Sequence, residues 1–150
     1  MIKNIWVDAD SCPLLVRNHV AEYGRKKGIK VFFVANKNIS CDFPDLFTMI
    51  ITNAQKDSAD NYIFEHAQSG TDLVITRDIV FADRLVQKGL LAINDRGTEF
   101  TKEIIKERLS ERDFNLQLVQ LGLSKPYHEG YDKKKFEKFC NCLDRVVIRN

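Results

Sequence analysis

The chain has 150 residues, 44% hydrophobic and 29% charged, with 23 basic and 21 acidic side chains and a net charge of +2. That size allows one domain with a core needing no staples, and the composition is that of a soluble globular protein, not a disordered or fibrous one. The charge balance neither demands nor excludes nucleic acid, so only local clustering can argue for that partner.

Taken in order, Ile2–Val7 reads as a buried strand. Asp8 and Asp10 follow at alternate positions, and Pro13 opens a helical pattern over Leu14–Lys27. Proline suits a helix's first turn, where its missing N–H would have no partner, and Gly28 closes the helix. Val31–Val34 is a second strand, Ala35–Pro44 an irregular polar loop and Leu46–Ile51 a third strand. Ser58–Gln68 is helical, with Ala59, Ile63 and Ala67 at four-residue spacing, and Gly70 ends it. Leu73–Ile75 is a strand, Asp78–Lys88 a helix ended by Gly89, and Leu90–Ile93 the last strand. Thr98–Arg112 is a long charged helix, and Pro126 marks a break. Gly122–Gly130 is the one plausible hinge, and Lys133–Val147 a final amphipathic helix with Phe136, Phe139, Cys140 and Leu143 on its apolar side. Strands alternating with helices imply parallel crossovers: a three-layer α/β fold with a mainly parallel central sheet, one domain over residues 1–150.

In such a sheet, functional groups gather where strands end and helices begin. Asp8 and Asp10 follow the first strand, Asp57 and Asp60 sit around a helix start, and Asp78 and Asp95 follow later strands. Asp83, five residues beyond Asp78, does not share its face. Hard cations such as Mg²⁺ and Mn²⁺ are held by a few carboxylates with water and phosphate oxygens, so this pattern suits a metal site open to a phosphodiester. His19, His66 and His128 lie in separate segments, and Cys12, Cys41, Cys140 and Cys142 have no metal-finger spacing, so zinc is not indicated. Aspartate, serine and threonine before helices are also ordinary caps, the first reading for Asp57, Asp78 or Asp95 taken singly. Asp8 is different, because a carboxylate continuing a buried strand is expensive unless it serves a site.

The motifs Trp6-Val7-Asp8-Ala9-Asp10-Ser11-Cys12-Pro13, Asp57-Ser58-Ala59-Asp60, Val74-Ile75-Thr76-Arg77-Asp78-Ile79 and Asn94-Asp95-Arg96-Gly97 resemble, in order and over nearly the full length, the YaiI/YqxD family of uncharacterised bacterial proteins. That family is similar to the PIN-like nucleases, which set acidic residues at the ends of parallel strands to bind divalent metal. The resemblance implies a PIN-like arrangement and a nuclease acting on RNA, with Asp8 and Asp10 matching the first acidic motif, Asp57 and Asp60 the middle one and Asp78 the later one. Ser11 stands where alanine is common and Val80 where proline is common. Asp95 replaces the family's usual proline, so the resemblance does not carry it as a ligand.

The expectation is therefore a Mg²⁺- or Mn²⁺-dependent phosphodiesterase acting on RNA. Asp8, Asp10, Asp60 and Asp78 form the catalytic and metal-holding set, with Asp57 supporting. Arg77, Arg96 and Asn36 are candidate substrate contacts, the arginines serving either phosphate or the balance of acidic charge. One alternative is a non-catalytic module binding metal, nucleotide or RNA. A second is a small-molecule phosphatase with Asp8 as nucleophile. Cys12 and Ser11 are read as helix-start architecture. Arg25-Lys26-Lys27 and Lys133-Lys134-Lys135 are read as solvated helix ends, and Trp6 as core. No leader or membrane run is read, and a reduced, cytoplasmic setting is expected.

Overall fold

The computed structural model describes residues 1–125 and 130–150. Strands β1 (Asn4–Asp8), β2 (Lys30–Ala35), β3 (Thr48–Ile51), β4 (Asp72–Ile75) and β5 (Leu91–Ile93) form a five-stranded sheet in the order β3-β2-β1-β4-β5. Every neighbouring pair is parallel, and an isolated antiparallel bridge joins Ile93 to Glu99. The chain runs outward from β1 to β3 on one side and from β4 to β5 on the other. The reversal lies beside β1, where a doubly wound sheet opens its ligand crevice.

Alternation along the strands sorts side chains to two faces. Ile5, Val7, Val31, Phe33, Leu73 and Ile75 meet α1 (Leu14–Lys27) and α5 (Lys133–Arg149), which contribute Val16, Val20, Phe139 and Leu143. Trp6, Val34, Val74 and Ala92 meet α2 (Ser58–His66), α3 (Ile79–Gln87) and α4 (Lys102–Gln120), through Ile63, Phe81, Leu85 and Ile105. The expected three layers are thus present, and Trp6 is core: it is buried and stacks on Phe32 at 4.4 Å.

Several element ends differ from the sequence reading for local reasons. Asp8 is the last residue of β1, paired with Val34, and Asp10 lies in a 3-10 turn at Ala9–Ser11. Pro13 sits just before α1 as its cap residue, and Gly28 closes the helix at φ 70°. α2 stops at His66, short of Gln68, whose N–H is taken by Asp72 Oδ2 at 2.9 Å. α4 begins later than Thr98 because Phe100 N–H bonds to Ala92 and Thr98 carbonyl to Asn94, keeping this segment beside β5. Thr101 then caps the helix, which runs past Arg112 to Gln120. Gly97 (φ 87°) lies against α5, where a Cβ would come within 2.6 Å of the Lys138 carbonyl oxygen. Pro126 and His128 lie outside the described residues, as does part of the Gly122–Gly130 hinge. Among the described residues the cysteines are free, and no helix is long and apolar enough to cross a membrane.

Candidate active site

Asp8 ends the central strand at the reversal point. Its Oδ2 accepts a hydrogen bond from Thr76 Oγ1 at 2.9 Å. Thr76 is buried, and its hydroxyl also accepts the Asp78 N–H at 3.1 Å. Asp78 caps α3, its Oδ1 accepting the N–H groups of Val80 and Phe81 at 2.9 and 3.2 Å. The capping role is therefore real, yet the same carboxylate acts by charge on both Asp8 and Asp60.

Asp60, in the first turn of α2, stands close enough to Asp8 for each carboxyl to act on the other's ionisation. Asp57 precedes it at φ 64°, left-handed backbone that aspartate tolerates better than most residues, and its side chain caps nothing. The turn is held instead by Ser58, whose Oγ donates to the Asn53 carbonyl at 2.7 Å and meets Thr52 Oγ1 at 2.8 Å. Asp10 is exposed, and its Oδ1 accepts the Asn36 N–H at 3.3 Å, tying the loop after β1 to the loop after β2. Asp10, Asn36, Gln55, Lys56, Asp57 and Asp60 line a cleft of about 230 Å³.

Burial raises the Asp8 carboxyl to about 6; the Thr76 hydrogen bond opposes the rise, and the charges of Asp10 and Asp78 add to it. Burial likewise lifts Asp60 to about 7, reinforced by Asp8, Asp78 and Asp57. Asp10, Asp57 and Asp78 thus each stand within electrostatic reach of Asp8 or Asp60, and among the described residues none of the five forms a salt bridge.

The donor set fits a hard divalent cation in chemistry: it is all oxygen and rich in uncompensated negative charge. It is not a finished shell. Among the described residues no three Asp, Glu, His or Cys side chains already converge on one point. Mg²⁺ needs only one or two protein carboxylates when water and phosphate complete its shell, so mutual repulsion without closure is compatible with such an ion.

The candidate substrate contacts separate. Asn36 lies in the acidic cleft, whereas Arg77 turns away to Asp95, Nε to Oδ2 at 2.5 Å. Arg96 lines a neighbouring cavity with Arg77 and Asp95. Asp95 is buried and does not cap a helix; Asn94 makes the local turn by accepting the N–H groups of Arg96 and Thr98, both at 2.9 Å. Cys12 is no activated thiol, because burial, then the Asp95 charge, push its pKa up. His19 packs against Phe136 and Phe139, and burial lowers its pKa. Thr76 is the residue whose importance the sequence conceals. A hydroxyl between a strand end and a helix-capping aspartate was the available signal.

Fold and site define a three-layer parallel α/β protein with an acidic cleft at the carboxyl edge of its central strand. The chain belongs to the family described as "Uncharacterized BCR, YaiI/YqxD family", whose model matches residues 6–149. It is 43% identical to a UPF0178 protein of Treponema denticola over 97% of this chain and 92% of that one. A UPF0178 protein of Myxococcus xanthus is 37% identical over 97% and 94% of the two chains, and one from Ectopseudomonas mendocina is 35% identical over 97% of each. Among solved structures, a variant of Rae1 (YacP) from Bacillus subtilis aligns over 97% of this chain and 99% of that one, at 16% identity and a TM-score of 0.47. That likeness is too distant to carry a function across.

Proposed function

We propose that this protein is a Mg²⁺- or Mn²⁺-dependent phosphodiesterase that hydrolyses RNA at the acidic cleft. The observation that carries the reading is the Asp8–Asp60 pair at the end of β1, pushed up by burial and by the charges of Asp10, Asp78 and Asp57 with no ion pair to relieve them among the described residues. Such a site is stabilised by a cation and offers its negative charge to whatever cation a phosphodiester brings. Asp8, Asp10, Asp60 and Asp78 would hold the metal, directly or through water, with Asp57 adding charge at the rim. The bound ion would supply an activated water and neutralise charge at phosphorus. The protein's part is orientation: Thr76 fixes Asp8, the α3 cap fixes Asp78, and the Asn36 N–H fixes Asp10. RNA as the substrate rests on the family's likeness to PIN-like nucleases.

The test incubates metal-replete protein with end-labelled RNA. Cleavage should stop with chelator, return with Mn²⁺ and be lost in Asp8→Asn. Cleavage indifferent to both changes would remove the proposal. The unclosed ligand set favours one second reading, a module that binds metal or nucleotide without turnover. Saturable Mn²⁺ binding with no RNA cleavage would select it.

A further inference from the structure

Beyond β4 the carboxyl edge changes sign. Arg77, one residue from Asp78, shares a cavity of about 210 Å³ with Asn94, Arg96 and Arg108. Arg108 also lines a second cavity of about 710 Å³ along α4, with Arg112 and Lys125. The two openings therefore meet at one side chain. Among the described residues lining the two openings, the acidic side chains are Asp95, which is paired with Arg77, and Glu111.

Arg77 is held in place. Asp95 takes its Nε, its guanidinium lies 5.9 Å from the centre of the Tyr131 ring, and the Tyr131 hydroxyl donates to the Asp95 carbonyl at 2.6 Å. Arg108 is anchored by Nη2 donating to Thr98 Oγ1 at 3.0 Å. α4 is barely used by the core: of its 19 residues only Ile105 is buried. Leu116, 51% exposed, and Val119 add apolar wall to the second cavity.

We infer that Arg77, Arg96, Arg108, Arg112 and Lys125 form a track for the phosphate backbone of a single-stranded nucleic acid, running from the acidic edge past β5 onto α4. Four of the five are arginines, whose planar fork matches phosphate oxygens. Arg108, common to both openings, links the cations of one to those of the other, and the apolar wall gives bases a surface to lie on. The inference rests on the phosphodiesterase reading for direction only: the strand is delivered toward the cleft.

Fluorescence anisotropy with a labelled 12-nucleotide RNA, in chelator so that no cleavage contributes, tests the track in the full chain. Wild type should bind with a strong salt dependence, each phosphate contact to a single strand adding about 0.7 to the log–log slope. The double variant Arg108→Gln, Arg112→Gln should bind roughly tenfold or more weakly, with the slope lower by about 1.4. Single-stranded DNA of the same length shows whether the ribose matters. Wild-type affinity and slope in the double variant would overturn the track, as would absence of RNA binding by wild type. Competition by polyglutamate as effective as by RNA would overturn the nucleic-acid occupant. Binding without cleavage on adding Mn²⁺ would instead defeat the phosphodiesterase reading and leave the track standing.

Discussion

Thr76 Oγ1 donates to Asp8 Oδ2 at 2.9 Å, and this one hydroxyl connects the ends of β1 and β4. It also accepts the Asp78 N–H, so a buried threonine positions two carboxylates of the acidic cleft. Removing a group that orients a metal-holding carboxylate commonly costs 10- to 100-fold in metal affinity or activity. Thr76→Val should therefore lower RNA cleavage roughly 10- to 100-fold while Thr76→Ser restores most of it. Initial rates across a Mn²⁺ series check this, and an active Thr76→Val would remove Thr76 from the site.

Asp8 and Asp60 make stability depend on pH in an unusual sense. An unfolded carboxyl titrates near 4, whereas these are raised in the fold to about 6 and about 7. Between those values the folded state holds more protons than the unfolded one, so stability falls as pH rises through the window and the penalty is complete above about 7. Metal-free protein should melt at a higher temperature at pH 5 than at pH 8. Asp60→Asn should flatten that dependence and raise Tm at pH 8. Mn²⁺ should raise wild-type Tm more at pH 8 than at pH 5. A pH-independent Tm in wild type would contradict the charged pair.

Much of this was legible in the chain. The alternation of apolar runs and helical stripes gives five strands and their helices, because the parallel sheet is buried on both faces and its strands are almost wholly apolar. Asp8 stood out because a carboxylate ending such a strand has no bland use. What stayed hidden depends on pairings between distant segments. Arg77 is adjacent to Asp78 in sequence but belongs to Asp95, 18 residues on. The end of α2 depends on the Asp72 carboxylate, and the late start of α4 on Phe100 bonding back to β5. The aspartates' capping and electrostatic roles also coexist, where sequence alone sets them as rivals.

Asp72 shows a buried carboxylate with a purely structural task. It lies beside Asn4 at the opposite end of the sheet, about 13 Å along the strand from Asp8. It accepts from Asn4 Nδ2, Trp6 Nε1, Gln68 N and Thr71 Oγ1, at 2.8–2.9 Å. Burial alone would raise its pKa, but these donors outweigh burial and lower it. Its stabilising effect is present above the unfolded value near 4 and is lost as pH falls below that through the folded one. Asp72→Asn should cost about 2–3 kcal/mol at neutral pH, read by urea unfolding, with cleavage per folded molecule unchanged.

Gly97 provides a test of how the β5 turn meets α5. Its positive φ and the Lys138 carbonyl leave no room for a Cβ. Gly97→Ala should lower stability by about 2 kcal/mol or more, while Gly70→Ala, where a Cβ meets nothing within 4 Å, should show the backbone cost alone. Equal losses at the two sites would contradict the close contact with α5.

The most direct test of the central claim is the single-turnover cleavage rate of end-labelled RNA by Asp8→Asn against wild type at saturating Mn²⁺. The account predicts a fall on the order of 100-fold or more, with the variant still folded by circular dichroism. A folded Asp8→Asn that cleaves at the wild-type rate would show that the acidic cleft at the end of β1 is not where the chemistry occurs.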